Sequence, residues 1–306
     1  MIYFAPLEGI TSFLYRKTHQ EFFGGVDRYY APFISPSSSH NFKSKERRDI
    51  LPENNQGVTM IPQILSNHPE EFIFTANCLY DMGYEEVNLN LGCPSGTVVS
   101  KGRGSGFLEK LPDLEDFLQE IYDKCKSQIS IKTRLGMKEP EEFYRILEIY
   151  NKFPVKELTI HPRTREDYYR GPVHPEFFSW ARAHTDLVLC YNGDINSVED
   201  YEKIQEEFPQ VPVMMGRGLL TRPSLGREMG GGDPASPEEL LAFEETLRRR
   251  YREIMPEIPT LYKLKEVWSF MAKSMPDPDK TWKKIKKSKR LSDYEIQIRT
   301  IRDAMK

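Results

Sequence analysis

The chain has 306 residues, of which 39% are hydrophobic, 29% charged and 12% aromatic. This length predicts two domains, or one large barrel with an appendage, and the composition excludes a disordered chain, a collagen-like repeat and a small disulfide-rich protein. The formal net charge of −3 hides an asymmetry, since residues 241–306 carry 17 lysines and arginines against 10 aspartates and glutamates. Such a basic segment indicates either a polyanionic partner or a solvated helix surface.

Short runs rich in valine, isoleucine, leucine and tyrosine recur through the first 216 residues and alternate with helical patterns. They predict eight strands, at residues 2–5, 28–33, 58–64, 86–90, 129–133, 157–160, 187–191 and 213–215. Helical spacing predicts helices at 69–82, 111–125, 141–151 and 197–208. This alternation matches an α/β fold of the (β/α)8 TIM-barrel type, although a doubly wound open sheet produces a similar pattern.

The C-terminal part of the chain differs in character. A run of turn-forming residues at 229–237 comes first, and helices are predicted at 238–255, 258–275 and 293–305. Residues 280–290, between the last two helices, hold seven lysines and arginines. The sequence therefore predicts a barrel domain, residues 1–235, followed by a small helical domain, residues 236–306.

The four cysteines, Cys78, Cys93, Cys125 and Cys190, are far apart and form no C-x-x-C pair. This spacing predicts free thiols in a reducing compartment and no metal site. No apolar run approaches the ~18–20 residues that cross a bilayer, and the N-terminal apolar run lacks the basic region of a signal peptide. We therefore expect a cytoplasmic protein with no membrane partner, and nothing indicates an obligate protein partner.

Polar residues fall at or just after the C-terminal ends of six predicted strands. They are Gln63, Asn90, Lys132, His161, Asn192 and the turn Gly216-Arg217-Gly218. In a barrel these strand ends converge on one face, where active sites are built, although each residue alone also fits a capping or satisfied core group. The glycine turn lets backbone N–H groups approach a phosphate, and Arg217 supplies charge. By contrast, the glycine-rich residues 102–106 follow no predicted strand, which argues against a dinucleotide loop there.

Cys93 lies in a tight loop between Gly92 and Pro94, directly after the fourth predicted strand. A thiol with an ordinary pKa of about 8.5 is mostly protonated at neutral pH, so it can donate a proton as well as act as a nucleophile. No histidine partner is evident in the sequence, which weakens the nucleophile interpretation.

Seven motifs recur along the barrel part of the sequence: Ala5-Pro6-Leu7-Glu8-Gly9-Ile10-Thr11, Pro62-Gln63, Asn88-Leu89-Asn90-Leu91-Gly92-Cys93-Pro94, Ile131-Lys132-Thr133-Arg134, His161-Pro162-Arg163-Thr164, Asn192-Gly193-Asp194-Ile195 and Gly216-Arg217-Gly218. They occur in the order seen in tRNA-dihydrouridine synthases, and the chain resembles that family from residue 1 to about residue 225. The resemblance implies an FMN-containing barrel followed by a helical RNA-binding domain. Such enzymes reduce the C5–C6 double bond of particular uridines in tRNA and use NADPH to recharge the flavin.

The same resemblance implies a role for each matching residue. Cys93 would donate the proton to uracil C5. The residues implied to bind FMN are Pro6, Leu7, Glu8, Gln63, Lys132, His161, Asn192, Gly193, Asp194, Gly216 and Arg217. Those implied to contact uracil or nucleotide phosphates are Asn90, Arg134, Arg163 and Arg165. Tyr168 and Tyr169 offer aromatic faces beside cations, which fits base stacking or ordinary loop packing.

Two other functions are open at this point. A flavin barrel acting on a free pyrimidine, as in dihydroorotate or dihydropyrimidine dehydrogenases, would leave the basic C-terminal segment without a task. A non-catalytic RNA-binding barrel would have no use for Cys93, Lys132 and the glycine turn together, and it would stay colourless in the presence of FMN.

Overall fold

A computed structural model of the protein describes residues 1–36 and 41–305. Within these residues the strands form one sheet in which every pair is parallel. The strands are β1 (Ile2–Phe4), β2 (Arg28–Tyr30), β3 (Met60–Ile61), β4 (Gln63–Ile64), β5 (Glu86–Leu91), β6 (Gln128–Arg134), β7 (Leu158–His161), β8 (Leu189–Asn192) and β9 (Val213–Met215). Their order across the sheet is β3-β2-β1-β9-β8-β7-β6-β5-β4.

The two ends of this order meet, because β3 and β4 are one extended segment interrupted at Pro62, which has no N–H to donate to a ladder. On one side of the segment Ala31 N donates to Ile61 O (3.0 Å). On the other side Asn88 N donates to Pro62 O (2.9 Å). The sheet therefore closes with eight strand positions, which confirms the predicted barrel and rules against an open sheet.

Helices connect the strands and extend the chain beyond the barrel. They are α1 (Phe13–Phe22), α2 (Ser44–Ile50), α3 (Pro69–Asp81), α4 (Gly96–Val99), α5 (Leu111–Lys124), α6 (Glu142–Tyr150), α7 (Pro175–His184), α8 (Val198–Glu207), α9 (Arg217–Thr221), α10 (Leu225–Met229), α11 (Pro237–Ile254), α12 (Glu257–Met271), α13 (Pro278–Lys286) and α14 (Leu291–Asp303). Short 3-10 turns occupy Pro52–Asn55, Gly104–Glu109 and Ala272–Ser274.

Every helix predicted from periodicity is present, and Ser197 caps α8 by accepting a hydrogen bond from Asp200 N (3.1 Å). The basic residues 280–290, predicted to lie between helices, instead begin within α13. This helix has Pro278 in its first turn and buries Thr281 and Ile285 on one face. The strand predicted to start at residue 187 starts two residues later, since Val188 is 55% exposed.

The barrel strands alternate between two environments, because successive side chains of a strand point to opposite faces. On β5 the apolar Val87, Leu89 and Leu91 are fully buried, which is the pattern of the outer face packed under helices. The residues between them face the barrel interior, where Asn88 bonds to side chains of the neighbouring strands. The interior is polar along β4 to β7. Elsewhere a separate apolar cluster fills it, composed of Tyr3, Ala5, Tyr30, Ile61, Cys190 and Met214.

The C-terminal helices pack directly on the barrel. Phe243 of α11 contacts the rings of Tyr15 (centroids 5.6 Å apart) and Phe23 (5.1 Å) on and after α1. Buried side chains of α11 to α14 and of the barrel belong to one continuous hydrophobic cluster, so the division at residue 235 stays a prediction. Among the described residues, no helix combines the length and apolarity needed to span a membrane.

Candidate active site

The carboxyl ends of the strands open into a cavity of about 500 Å³. Most of the site residues named from the sequence line it: Pro6, Leu7, Glu8, Gln63, Asn90, Cys93, Lys132, Arg134, His161, Asn192, Gly193, Asp194, Gly216 and Arg217. Arg163 and Arg165 are not part of this lining. The barrel topology thus gathers residues that are up to 211 positions apart in the chain, from Pro6 to Arg217.

Hydrogen bonds between side chains and the backbone hold the loop that carries Cys93. Asn90 Oδ1 accepts from the backbone N–H groups of Gly92 (3.0 Å) and Cys93 (2.9 Å), and Ser105 Oγ donates to Cys93 O (2.9 Å). Burial raises the pKa of the Cys93 thiol, against a smaller opposing effect of a hydrogen bond from the Ser95 backbone. The thiol is therefore protonated at neutral pH.

Lys132 lies beside Asn90 in the register of β5 and β6, so both side chains reach the same level of the cavity. Burial, together with the nearby charge of Arg134, lowers the pKa of Lys132 to about 7. An ammonium in this position is poorly stabilised by the surrounding protein. An anionic or electron-rich ligand would favour its charged form.

Arg134 is fully buried and held by two carbonyl groups. Its Nε donates to Gly92 O (2.9 Å) and its Nη1 to Thr164 O (2.7 Å), whereas Nη2 is buried with no well-placed acceptor among the described residues. The Tyr169 ring lies between two guanidinium groups, 5.2 Å from Arg134 Cζ and 5.4 Å from Arg217 Cζ. The Tyr169 side chain interacts with Arg134 and opposes the rise that burial causes in the Tyr169 pKa, so it is a weak partner for this guanidinium. A ligand at the cavity wall would complete the pairing, since buried polar groups normally have a partner.

Arg163 lies behind the cavity wall and organises it. Its Nη1 approaches His161 Nε2 (3.3 Å) and its Nη2 bonds to Asp194 Oδ2 (2.5 Å), while Arg217 Nη2 holds the other oxygen, Asp194 Oδ1 (2.8 Å). Burial raises the pKa of Asp194, but the hydrogen bond and charge of Arg163 outweigh it, so the net shift is downward. Asp194 is an anion that joins two loops, and its φ of +41° is unusual for a residue with a side chain.

His161 is neutral. Burial lowers its pKa well below the ordinary value, and the charges of Arg134 and Lys132 act in the same direction. Because Arg163 can only donate, Nε2 accepts in the contact with Arg163, and the proton of the ring is on Nδ1. The imidazole therefore offers one N–H donor for other contacts.

Arg165 is half-buried outside the cavity, with its guanidinium carbon 5.0 Å from the centre of the Tyr168 ring. Tyr168 and Tyr169 do line the cavity and are 42% and 50% exposed at its mouth. Sequence reasoning missed Phe270 of α12, which also lines the cavity. No local pattern marks Phe270, since only tertiary packing brings a helix so late in the chain to the strand ends.

No group of three or more histidine, cysteine, aspartate or glutamate side chains able to hold a metal ion occurs within residues 1–36 and 41–305. The cavity wall instead combines a protonated thiol, amides, a neutral imidazole and three cations. This set can hold an anion at its margin and supply one proton inside.

A model of the dihydrouridine synthase family matches residues 3–304 of the chain. The chain is 27% identical over 291 residues to a tRNA-dihydrouridine(16) synthase of Pseudomonas putida, covering 89% of this chain and 88% of that protein. It is 26% identical over 263 residues to tRNA-dihydrouridine synthase B of Pasteurella multocida, covering 85% and 77% respectively.

Solved structures share the fold at low sequence identity. An old yellow enzyme homologue from Zymomonas mobilis superimposes with a TM-score of 0.56 at 10% identity, over 78% of this chain and 91% of that one. Morphinone reductase gives a TM-score of 0.51 at 12% identity, over 78% and 88%. These likenesses show the barrel fold.

Proposed function

Because the chain belongs to the dihydrouridine synthase family and is therefore an oxidoreductase, we propose that it reduces the C5–C6 double bond of specific uridines in tRNA, with FMN in the barrel cavity and NADPH as electron donor. The observation that carries this proposal is the convergence of Cys93, Lys132, Arg134 and the 216–218 turn on one cavity. These residues suit a proton donor, an electron-rich ring and a phosphate.

The cavity fits a flavin in size and in charge. Ligand pockets commonly have volumes of roughly 300–1,000 Å³ and few, well-placed polar groups, and this one has about 500 Å³. The turns after β8 and β9 lie so close that a Cβ at Gly218 would collide with the carbonyl oxygen of Ile195. Only glycine therefore permits this arrangement, which leaves backbone and Arg217 at the margin where a phosphate would bind.

We assign the flavin contacts in three groups. Gln63 and Lys132 would hold the isoalloxazine ring, and Pro6, Leu7 and Glu8 would lie against it from the first loop. The residues assigned to the ribityl chain and phosphate are His161, Asn192, Gly193, Asp194, Gly216 and Arg217. When bound, FMN supplies the hydride, and the protein supplies orientation and a proton.

Cys93 is the proton donor in this proposal. Its pKa is raised by burial, so Sγ keeps its proton at neutral pH until a developing charge at uracil C5 takes it. Asn90 and Ser105 hold the backbone of the loop, which restricts where Sγ can point. Arg134, whose Nη2 has no well-placed acceptor within the described residues and whose guanidinium interacts weakly with Tyr169, is suited to a uracil carbonyl oxygen or a phosphate, and Asn90 to the base edge.

The two arginines that do not line the cavity, Arg163 and Arg165, have tasks of their own. Arg163 is 97% buried and engaged with His161 and Asp194, so we infer that it positions these two residues. Arg165 lies beside Tyr168, where it can meet a phosphate of the incoming nucleotide once the uridine has left its stack.

The tRNA would be held by the C-terminal helices as well as by the mouth of the cavity. Lys283, Lys286 and Lys287, on and just after α13, are exposed and have no carboxylate partner in the described part of the chain. Unpaired lysines of this kind neutralise RNA phosphates and release their counterions.

The decisive experiment measures dihydrouridine in tRNA from cells that lack this protein and from cells that express it again. We expect one or more positions to lose dihydrouridine and to regain it with the wild-type chain. We also expect the purified protein to be yellow with FMN and to consume NADPH with tRNA, but not with free uracil. Full turnover of the free base, or a protein that stays colourless with FMN, would refute the proposal.

A further inference from the structure

A continuous chain of side-chain hydrogen bonds runs through the polar half of the barrel interior, below the cavity. Its upper part begins at the Cys93 loop, where Asn90 Oδ1 accepts the two backbone N–H groups described above. Asn90 Nδ2 donates to Gln63 Oε1 (2.7 Å), and Gln63 Nε2 donates to Asn88 Oδ1 (2.8 Å). Gln63 and Asn88 are opposite each other in the β4–β5 register, so the amides stack in layers.

The lower part of the chain reaches the floor of the barrel. Asn88 Nδ2 donates to Ser130 Oγ (3.0 Å), its register partner on β6, and Ser130 Oγ donates to Glu86 Oε1 (2.7 Å). The other oxygen, Glu86 Oε2, lies 3.5 Å from Arg28 Nη1. The five residues of this hydrogen-bond chain are buried, with at most 7% of each residue exposed: Gln63, Glu86, Asn88, Asn90 and Ser130.

The direction of this chain is determined at both ends. Backbone N–H groups can only donate, so the atom of Asn90 that meets Gly92 and Cys93 must be its oxygen. A carboxylate can only accept, so Ser130 gives its single hydrogen to Glu86 and its oxygen must accept from Asn88. The alternative acceptor of Ser130, Val87 O at 3.5 Å, leaves the same direction.

A fixed direction decides which atoms remain for ligands. Asn90 Oδ1 is saturated by two donors, so Asn90 can offer the cavity only its second N–H. Gln63 retains one N–H and one lone pair on its oxygen. If the chain reversed, Asn90 would present its oxygen instead and the Cys93 loop would lose both of its hydrogen bonds.

We propose that Glu86, Asn88 and Ser130 are positioning residues for this reaction, which orient Gln63, Asn90 and the Cys93 loop from the floor of the barrel. None of the three lines the cavity, and each acts through the next amide. This inference rests on the proposed function, because it assigns a task to groups that support the proposed flavin and uracil contacts.

The first test uses substitutions that keep side-chain shape. Asn88→Asp replaces the N–H group that donates to Ser130 Oγ with a carboxylate oxygen. The new carboxylate and that of Glu86 then compete for the single hydroxyl hydrogen of Ser130. We expect kcat on tRNA to fall at least about tenfold while KM for tRNA changes less than about twofold. Adding Glu86→Gln returns a donor to Ser130 Oγ and lets Ser130 donate to the new carboxylate. The double variant should therefore recover most of the lost turnover.

The outcomes separate a positioning role from mere packing. Normal turnover in Asn88→Asp overturns the proposal, and so does a folded double variant that is no faster than Asn88→Asp alone. If Asn88→Asp fails to fold, the turnover of Ser130→Ala on tRNA tests the proposal in its place. Its matched control is Ser127→Ala, which also removes a buried hydroxyl, but one whose hydrogen-bond partners among the described residues are the carbonyls of Ala76 and Tyr84.

A second readout does not depend on catalysis. Hydrogen exchange at the Gly92 and Cys93 amides of flavin-free protein should be at least about tenfold faster in Ser130→Ala than in Ser127→Ala. Equal exchange in the two variants overturns the proposal. The two proposals can fail separately. If the Gly92 and Cys93 amides exchange faster in Ser130→Ala than in the wild-type protein, but the wild-type protein reduces no uridine in tRNA, the proposed function is wrong and the positioning of the loop is still supported.

Discussion

The charged groups at the two ends of the barrel interior differ in how completely they are paired. At the floor, Glu157 accepts from the hydroxyls of Tyr3 (2.9 Å) and Tyr30 (3.4 Å), and Glu86 pairs with Arg28. At the mouth, Arg134, Arg217 and the poorly stabilised Lys132 line the cavity with the acids Glu8 and Asp194, and Arg134 has only a weak partner in Tyr169. The charged groups of the floor have partners within the fold, whereas those of the mouth leave contacts that a ligand could make.

The C-terminal helices repeat this contrast at the surface. Arg248 of α11 pairs with Glu244 and Glu295, and Arg250 pairs with Glu21 of α1. The exposed lysines of α13 have no such partners among the residues described. The paired charges hold the helices together, and the unpaired lysines form the surface that we propose binds RNA.

The largest effect is expected at the mouth. Cys93→Ala should lower uridine reduction by about 10²–10⁴-fold, the usual contribution of a positioned acid, and should leave the flavin spectrum unchanged. Cys78→Ala, at a half-buried free thiol of α3, is the control and should be fully active. Turnover of the Cys93 variant at the wild-type rate would remove the proton-donor assignment.

Neutralising the unpaired lysines should have the next largest effect. The triple change of Lys283, Lys286 and Lys287 to glutamine should weaken tRNA binding about 10–100-fold at low salt and reduce the slope of log Kd against log salt by about 2–3. The same change at three paired surface lysines provides the control. They are Lys124, Lys126 and Lys152. Equal losses in the two triple variants would contradict a specific RNA surface on α13.

At the Tyr3–Glu157 contact of the floor, which is not part of the hydrogen-bond chain from Glu86 to Asn90, the expected loss is of stability and not of activity. Tyr3→Phe leaves Glu157 Oε2 without its closest donor, which should lower the free energy of unfolding by about 1–3 kcal/mol in urea titrations. Turnover should be unchanged. Tyr144→Phe, at a tyrosine 39% exposed on α6, should change the free energy of unfolding by less than about 0.5 kcal/mol.

The last effect has the opposite sign, since this substitution should stabilise the protein. Lys132 has a pKa of about 7 in the fold and about 10.4 when unfolded. Between these values the unfolded state binds more protons, so the stability of flavin-free protein rises with pH in this window. Lys132→Met removes this dependence. It should raise the Tm near pH 7 by about 2–4 °C for each kcal/mol of burial cost relieved, with a smaller gain near pH 10.

The control for this measurement is Lys126→Met, at an exposed lysine, which should leave the pH profile of Tm unchanged. A Lys132→Met protein less stable than wild type at neutral pH would contradict the direction of the shift. The same variant should bind flavin weakly or slow its reduction, since Lys132 is assigned to the ring.

Much of the fold follows from the sequence because strand and helix periodicities in a (β/α)8 barrel are local. The capping serine of α8 and the polar residues at the strand ends were readable for the same reason. Helices α1, α2 and α7 were not predicted. Helix α1 buries the polar Arg16, Thr18 and His19, and α2 buries Asp49, so apolar residues alone do not mark the buried faces of these two helices. Val188 looks like a strand residue, yet its exposure depends on neighbours that the local sequence does not reveal.

The candidate site shows the same limit at finer detail. Arg163 and Arg217 both follow predicted strands and look alike in sequence. Only the closed barrel places Arg163 under the wall, between His161 and Asp194, and Arg217 in the cavity. The hydrogen-bond chain from Glu86 to Asn90 is likewise a property of the register between strands, which no single strand encodes.

Phe270 has a consequence for how the protein can be dissected. It extends from a C-terminal helix into the cavity, and on the same helix Lys263 binds the carbonyl of Gly9 in the first loop. Shortening the chain before α12 would therefore open a wall of the cavity proposed to hold flavin and would also remove the proposed RNA surface. Transferring the C-terminal helices to a related barrel would likewise transfer part of the cavity wall. The proposed RNA binding and the shape of the cavity therefore cannot be exchanged separately.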